Sequence, residues 1–163
     1  MLFGASVHLL YIHRMTTSIV STSTTELSDF TGGAESDVSM MIGIGLVKDS
    51  PAVFFQYLGD DQTPAGLTMP SGKPITSLKN VTLSGISIAE DVGEFKSTKL
   101  NIFLTSNQGR TVMLTSGLTT IWSQCVLGGL IGMFNTYDMT TAFNLDSWYG
   151  TSKLRPVFAA LKL

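Results

Sequence analysis

The sequence predicts a mostly β domain of the α+β kind, carrying one glycine-rich helix, an extra N-terminal strand and a flexible N-terminal tail. Three observations point there. Apolar residues alternate in KLNIFLT and RTVMLTS on either side of the turn SNQG. The alternation in VTLSGISIAED is broken at a glycine. Spacings of three and four residues run through GLTTIWSQCVLGGLIGMFNT. Period two marks strands and period 3.6 marks a helix.

The elements follow in order. Residues 1–37 are expected to form a flexible extension. The start MLFGASVHLLYIHR is too short to span a bilayer and lacks a basic n-region and a cleavage site, and Met15 is expected to be the working start. The stretch MTTSIVSTSTTELSDFTGGAESD is rich in Ser, Thr and Asp, with too few large apolar side chains to offset the entropy of ordering. A single β-rich domain is expected over 38–163. In it VSMMIGIGLV reads as a short strand or helical turn, and AVFFQYL as a strand. GDDQTPAGLTMPSGKP, with three prolines and three glycines, reads as a long loop.

From Val81 the pattern is more informative. Val81 and Leu83 share one parity and Ile86 and Ile88 the other, so the alternation slips at Ser84 and Gly85. Such a slip predicts a bulge that bends the strand. The hairpin of KLNIFLT and RTVMLTS follows, with Leu100, Ile102, Leu104, Val112 and Leu114 inward and Phe103 on the polar face. The helix is expected after Gly117, capped by Ser116 or Thr119. Gly128, Gly129 and Gly132 each cost it about 1 kcal/mol relative to alanine, which predicts close packing against the sheet or a second helix. TAFNLDSW and RPVFAALKL, separated by YGTSKL, complete the chain as strands.

Three strands, a helix and two strands, with a glycine bulge in the first strand, resemble the OB-fold over residues 78–163. The KLNIFL-turn-RTVML hairpin is similar to those of single-stranded nucleic-acid-binding OB domains. The resemblance implies a five-stranded barrel or curved sheet. Its binding face would lie on the second and third of those strands, flanked by loops that grip the ligand. A sheet-plus-helix arrangement of the Whirly or PC4-like kind is the alternative.

Composition narrows the function classes. Hydrophobic residues make up 44% and charged residues 13% of the chain, so some apolar surface is expected to be covered by other copies in a homo-oligomer. Seven acids face only Arg14 and Lys48 through residue 61, whereas eight cations face five acids from residue 62 onward. A mildly basic domain behind an acidic segment suits a polyanionic partner, with the acidic segment competing for the basic face or recruiting another protein. The lone Cys125 permits no intramolecular disulfide and favours a reducing, cytoplasmic setting. Both histidines, His8 and His13, lie in the extension, so neither a histidine-based catalytic triad nor a typical zinc site is expected in the domain. Asp60 and Asp61 read as solvated loop acids, and Glu90, Asp91 and Glu94 as a charged turn. No enzyme activity, metal or cofactor is expected.

Binding to a single strand needs cations along a backbone track and flat side chains on which bases stack. Two groups fit: Phe95, Lys96, Lys99, Phe103 and Arg110 on the hairpin, and Trp148, Tyr149, Lys153 and Arg155 around the last connection. The expected function is non-enzymatic binding of single-stranded DNA, with RNA as a second candidate ligand and no membrane role. The rival expectation is a homo-oligomeric structural module without a nucleic-acid role.

Overall fold

The structure, a computed structural model, describes residues 40–58 and 62–163. The expected tail over 1–37 and the Asp60-Asp61 pair therefore lie outside the described residues. The elements are β1 (Met40–Ile44), β2 (Phe54–Leu58), β3 (Thr63–Gly66), β4 (Ser77–Val92), β5 (Ser97–Ser106), β6 (Thr111–Gly117), α1 (Ile121–Phe134), β7 (Phe143–Tyr149) and β8 (Val157–Lys162). The strands form one sheet in the order β3-β2-β1-β6-β5-β4-β7-β8. Every pairing is antiparallel except β1 with β6, which runs parallel from Met40 opposite Val112 to Gly43 opposite Thr115.

Alternation places the core. Leu100, Ile102 and Leu104 of β5, Val112 and Leu114 of β6, and Phe143 and Leu145 of β7 all point to one side of the sheet and are fully buried. Ile42 and Phe54 extend that layer across β1 and β2. The helix α1 lies on the same side, packed chiefly along β8, with Trp122, Val126, Leu130 and Met133 facing inward. Trp122 is 1% exposed, and its indole N–H donates to the Ser147 hydroxyl at 3.0 Å. A buried indole needs such a partner.

The expected bulge in β4 is present, as a register shift between Leu83 and Gly85. Two more irregularities flank it, one between Leu78 and Val81 against β7 and one between Ala89 and Val92 against β5. Asn80 and Asp91, inside these two, have φ of 52° and 53°. A strand bent this often curls the sheet. The curl carries β7 towards the far side, where the Tyr149 hydroxyl lies 2.8 and 2.6 Å from the carbonyls of Gly45 and Ala52, in the β1–β2 connection, and shares its one proton between them.

Several expectations need correction. The five C-terminal strands do not close into a barrel, because no ladder joins β6 to β8. The free side of β6 is taken instead by β1. The segment expected as one long loop contains β3, an edge strand in which Pro64 sits opposite Tyr57, a position that tolerates a missing N–H. The strand expected from Val81 begins at Ser77. The helix is capped by Thr120, whose hydroxyl accepts from the Ser123 N–H at 3.2 Å, while Ser116 sits behind it at 3.0 Å. Close packing accounts for only one helical glycine: a Cβ on Gly129 would lie 3.0 Å from Leu161, whereas Gly128 and Gly132 face open space. Among the described residues no helix is long and apolar enough to cross a membrane.

Candidate nucleic-acid interface

The side of the sheet opposite α1 is built from the other parity of each strand. On β5 this gives Lys99, Asn101, Phe103 and Thr105, all half-buried. Cross-strand register then sets their neighbours. Phe103 lies between Gly85 of β4 and Met113 of β6, and Met113 in turn lies opposite Met41 of β1. The next row runs Ser87, Asn101, Thr115, Gly43 and Phe55. Phe55 lies flat over Gly43, where any Cβ would come within 2.3 Å of its ring. It meets Tyr57 edge-on at 5.4 Å.

The result is a strip of flat and flexible apolar groups, Phe103, Met113, Met41, Phe55 and Tyr57, running across four neighbouring strands, β5, β6, β1 and β2. Met41 and Tyr57 are about half exposed, at 49% and 46%. Uncharged polar groups border the strip. The Asn101 amide donates to the Ser87 hydroxyl at 3.3 Å, and the Thr105 and Thr111 hydroxyls are 3.2 Å apart. Lys99 supplies a cation at the end of the same face, next to Ala89 and Gly117.

Of the hairpin residues expected at the site, Phe103 and Lys99 share this face. Lys96 lies in the β4–β5 turn with φ of 44°, beside the fully projecting Phe95. Arg110 lies at the opposite end of β5, in the turn to β6, where its backbone N–H donates to the Ser106 hydroxyl. One nitrogen of its guanidinium is shielded from solvent, which is poor placement for gripping a phosphate.

The second expected group divides. Trp148 faces away from α1 and stacks on Phe158 of β8, with centroids 6.2 Å apart and planes at 20°. It does not share a platform with Phe103. Phe103 sits opposite Gly85, whereas Ser147, next to Trp148, bonds to Thr76. That is nine positions earlier in the chain, just before β4, with the irregularities at Leu78–Val81 and Leu83–Gly85 in between.

Tyr149 is a tie within the fold. Its hydroxyl is held by two carbonyls, and the Arg155 guanidinium covers its ring at 4.3 Å. Burial pushes the phenol above its ordinary value, against the opposing pull of the Arg155 charge. Lys153 is exposed in the β7–β8 connection. Pro156 and Val157, directly after Arg155, line a cavity of about 250 Å³ together with Ser116, Thr120 and Trp122. Gly117, beside Ser116, is the register partner of Lys99. At this rim of the sheet the β7–β8 connection lies across the cavity from the end of β6, whose last residue, Gly117, pairs with Lys99.

Sequence reasoning missed Phe55, Tyr57, Met41 and Met113. Alternation within AVFFQYL separates Phe54 from Phe55 and Tyr57, but only the pairing of β1 with β6 brings these residues to Phe103. No cluster of His, Cys, Asp or Glu suited to a metal ion occurs among the described residues. Compared with protein-family models, curated proteins and solved structures, the chain gives no match.

Proposed function

We propose that this protein is a non-enzymatic, cytoplasmic binder of single-stranded nucleic acid, DNA first and RNA second, that uses the sheet face opposite α1. The observation that carries the reading is the strip from Phe103 through Met113 and Met41 to Phe55 and Tyr57, on a face that α1, the one helix among the described residues, does not cover. Bases stack on such side chains whatever their sequence, each stack contributing about 1–3 kcal/mol. Asn101, Thr105, Thr111 and Thr115 offer hydrogen bonds beside the strip without repelling a phosphate chain. Lys99 and Lys96 lead the strand towards the hairpin tip, and Lys153 and Arg155 extend the basic track along the rim. In this reading Trp148 is a second stacking point reached by the same strand, and Tyr149 orders Arg155. The OB-like binding surface is thereby widened by β1 and β2, and the acidic N-terminal segment competes for it or recruits a partner.

The test is binding of a labelled single strand to the double variant Phe103→Ala, Tyr57→Ala, with folding checked by circular dichroism. Loss of binding by a folded variant supports the reading. Unchanged affinity contradicts it.

A further inference from the structure

On its β7 side β4 is paired only at Ser77, Leu78 and Val81, while on its β5 side pairing continues to Val92. The stretch from Ser84 to Glu90 thus has one paired edge and one edge with no strand beside it among the described residues. Unpaired N–H and C=O groups in a row are a template for another strand. The side chains there are also exposed and apolar: Ile86 and Ile88 are 46% and 58% exposed, although their register partners Ile102 and Leu100 place them on the core side of the sheet. Beside them a groove between β4 and the end of α1 is lined by Leu83, Leu127, Ile131, Phe134 and Met139, and Ile131 is 65% exposed.

We infer that this edge is a homodimer interface, in which the β4 strands of two copies pair antiparallel about a two-fold axis at Ser87. The sequence around Ser87 reads nearly the same in both directions: Gly-Ile-Ser-Ile-Ala. Pairing centred there sets Ile86 against Ile88 of the second copy and Ile88 against its Ile86. On the other face it sets Gly85 against Ala89 and Ser87 against itself. Centring on Ile88 would oppose Ile86 to Glu90, and centring on Ile86 would oppose Ile88 to Ser84, so one register is preferred.

In that register Glu90 faces Ser84 and meets no like charge. The acidic end of each hairpin, Glu90, Asp91 and Glu94, runs towards the start of the other β4, where Lys79 is exposed. Such an isologous contact is closed and self-complementary, and it covers apolar surface that the described residues of one chain leave open.

The experiment uses the full chain carrying Cys125→Ser, without nucleic acid, so its outcome is independent of the binding reading. Light scattering after size exclusion is expected to give the mass of two chains, falling to one chain in Ile86→Glu, Ile88→Glu. Ser87→Cys, added to the Cys125→Ser chain, is expected to give a disulfide-linked dimer with oxidised glutathione. Paired antiparallel residues have Cα atoms about 4.5–5.5 Å apart, within disulfide reach. Asn107→Cys, in the exposed β5–β6 turn, serves as the control. A monomeric parent chain, a dimer that survives the glutamates, or cross-linking no better than that of Asn107→Cys would overturn the inference. The cysteine arm keeps the test decisive if the glutamate variant fails to fold.

Discussion

Phe103 rests on Gly85, and that contact sets what its removal would do. A Cβ built on Gly85 would be 3.5 Å from the ring, so the aromatic packs over a bare stretch of backbone while its outer side stays open. Truncation removes little core, and Phe103→Ala is expected to stay folded while losing about 5- to 150-fold in affinity for a single strand, the equivalent of one stacked base. Competition binding with wild type measures this. Tyr149 gives a contrasting expectation. Because burial raises its pKa in the folded chain, the unfolded chain releases the phenolic proton first as pH climbs. The stability this tie contributes is therefore whole below pH 10 and is lost progressively as pH rises through the folded value. Thermal melts between neutral pH and pH 11 should show a steeper alkaline decline in wild type than in Tyr149→Phe. Equal slopes would remove Tyr149 as the cause.

At the scale of elements, the helix depends on its cap and on Trp122. Thr120 accepts from the Ser123 N–H and donates to the Gly117 carbonyl at 2.9 Å. Thr120→Ala should therefore lower stability by about 1 kcal/mol, read from a urea transition with unchanged slope. The cap also illustrates where sequence reading stops. Ser116, Thr119 and Thr120 are all competent cap residues, and only the entry angle of the chain chooses among them. The β5–β6 hairpin and the β4 bulge were legible, because side chains that switch face at every residue record burial directly in the sequence. By contrast, β3 was hidden, since Thr63, Pro64 and Gly66 are turn residues by composition and form a strand only as an edge partner of β2. The parallel pairing of β1 with β6 was equally hidden. It joins residues about seventy positions apart, and no local period encodes such a contact.

For the whole molecule, the same pairing explains why the candidate site was half legible. Lys99 and Phe103 could be placed on a polar face from β5 alone, whereas Met41, Phe55 and Tyr57 join them only once β1 has docked on β6. Trp148 and Phe103 were both expected to stack bases, in two separate groups, and the course of β4 keeps them apart, so their contributions to binding should be additive. The two faces of the curled sheet divide the labour. One side holds the core under α1 and, at the exposed half of β4, the apolar surface assigned to a second copy. The other carries flat side chains, uncharged hydrogen-bonding groups and a few cations. On the proposed binding reading, the few cations on that face predict a moderate salt dependence, with stacking supplying most of the affinity.

The most direct measurement is fluorescence anisotropy of a labelled mixed-sequence single strand of about 30 nucleotides, long enough to span several stacking points, titrated with the protein at low and moderate salt beside a duplex of the same sequence. The account predicts saturable binding that prefers the single strand and weakens as salt rises. Absence of binding by the folded protein at low salt, or equal affinity for duplex, would contradict it.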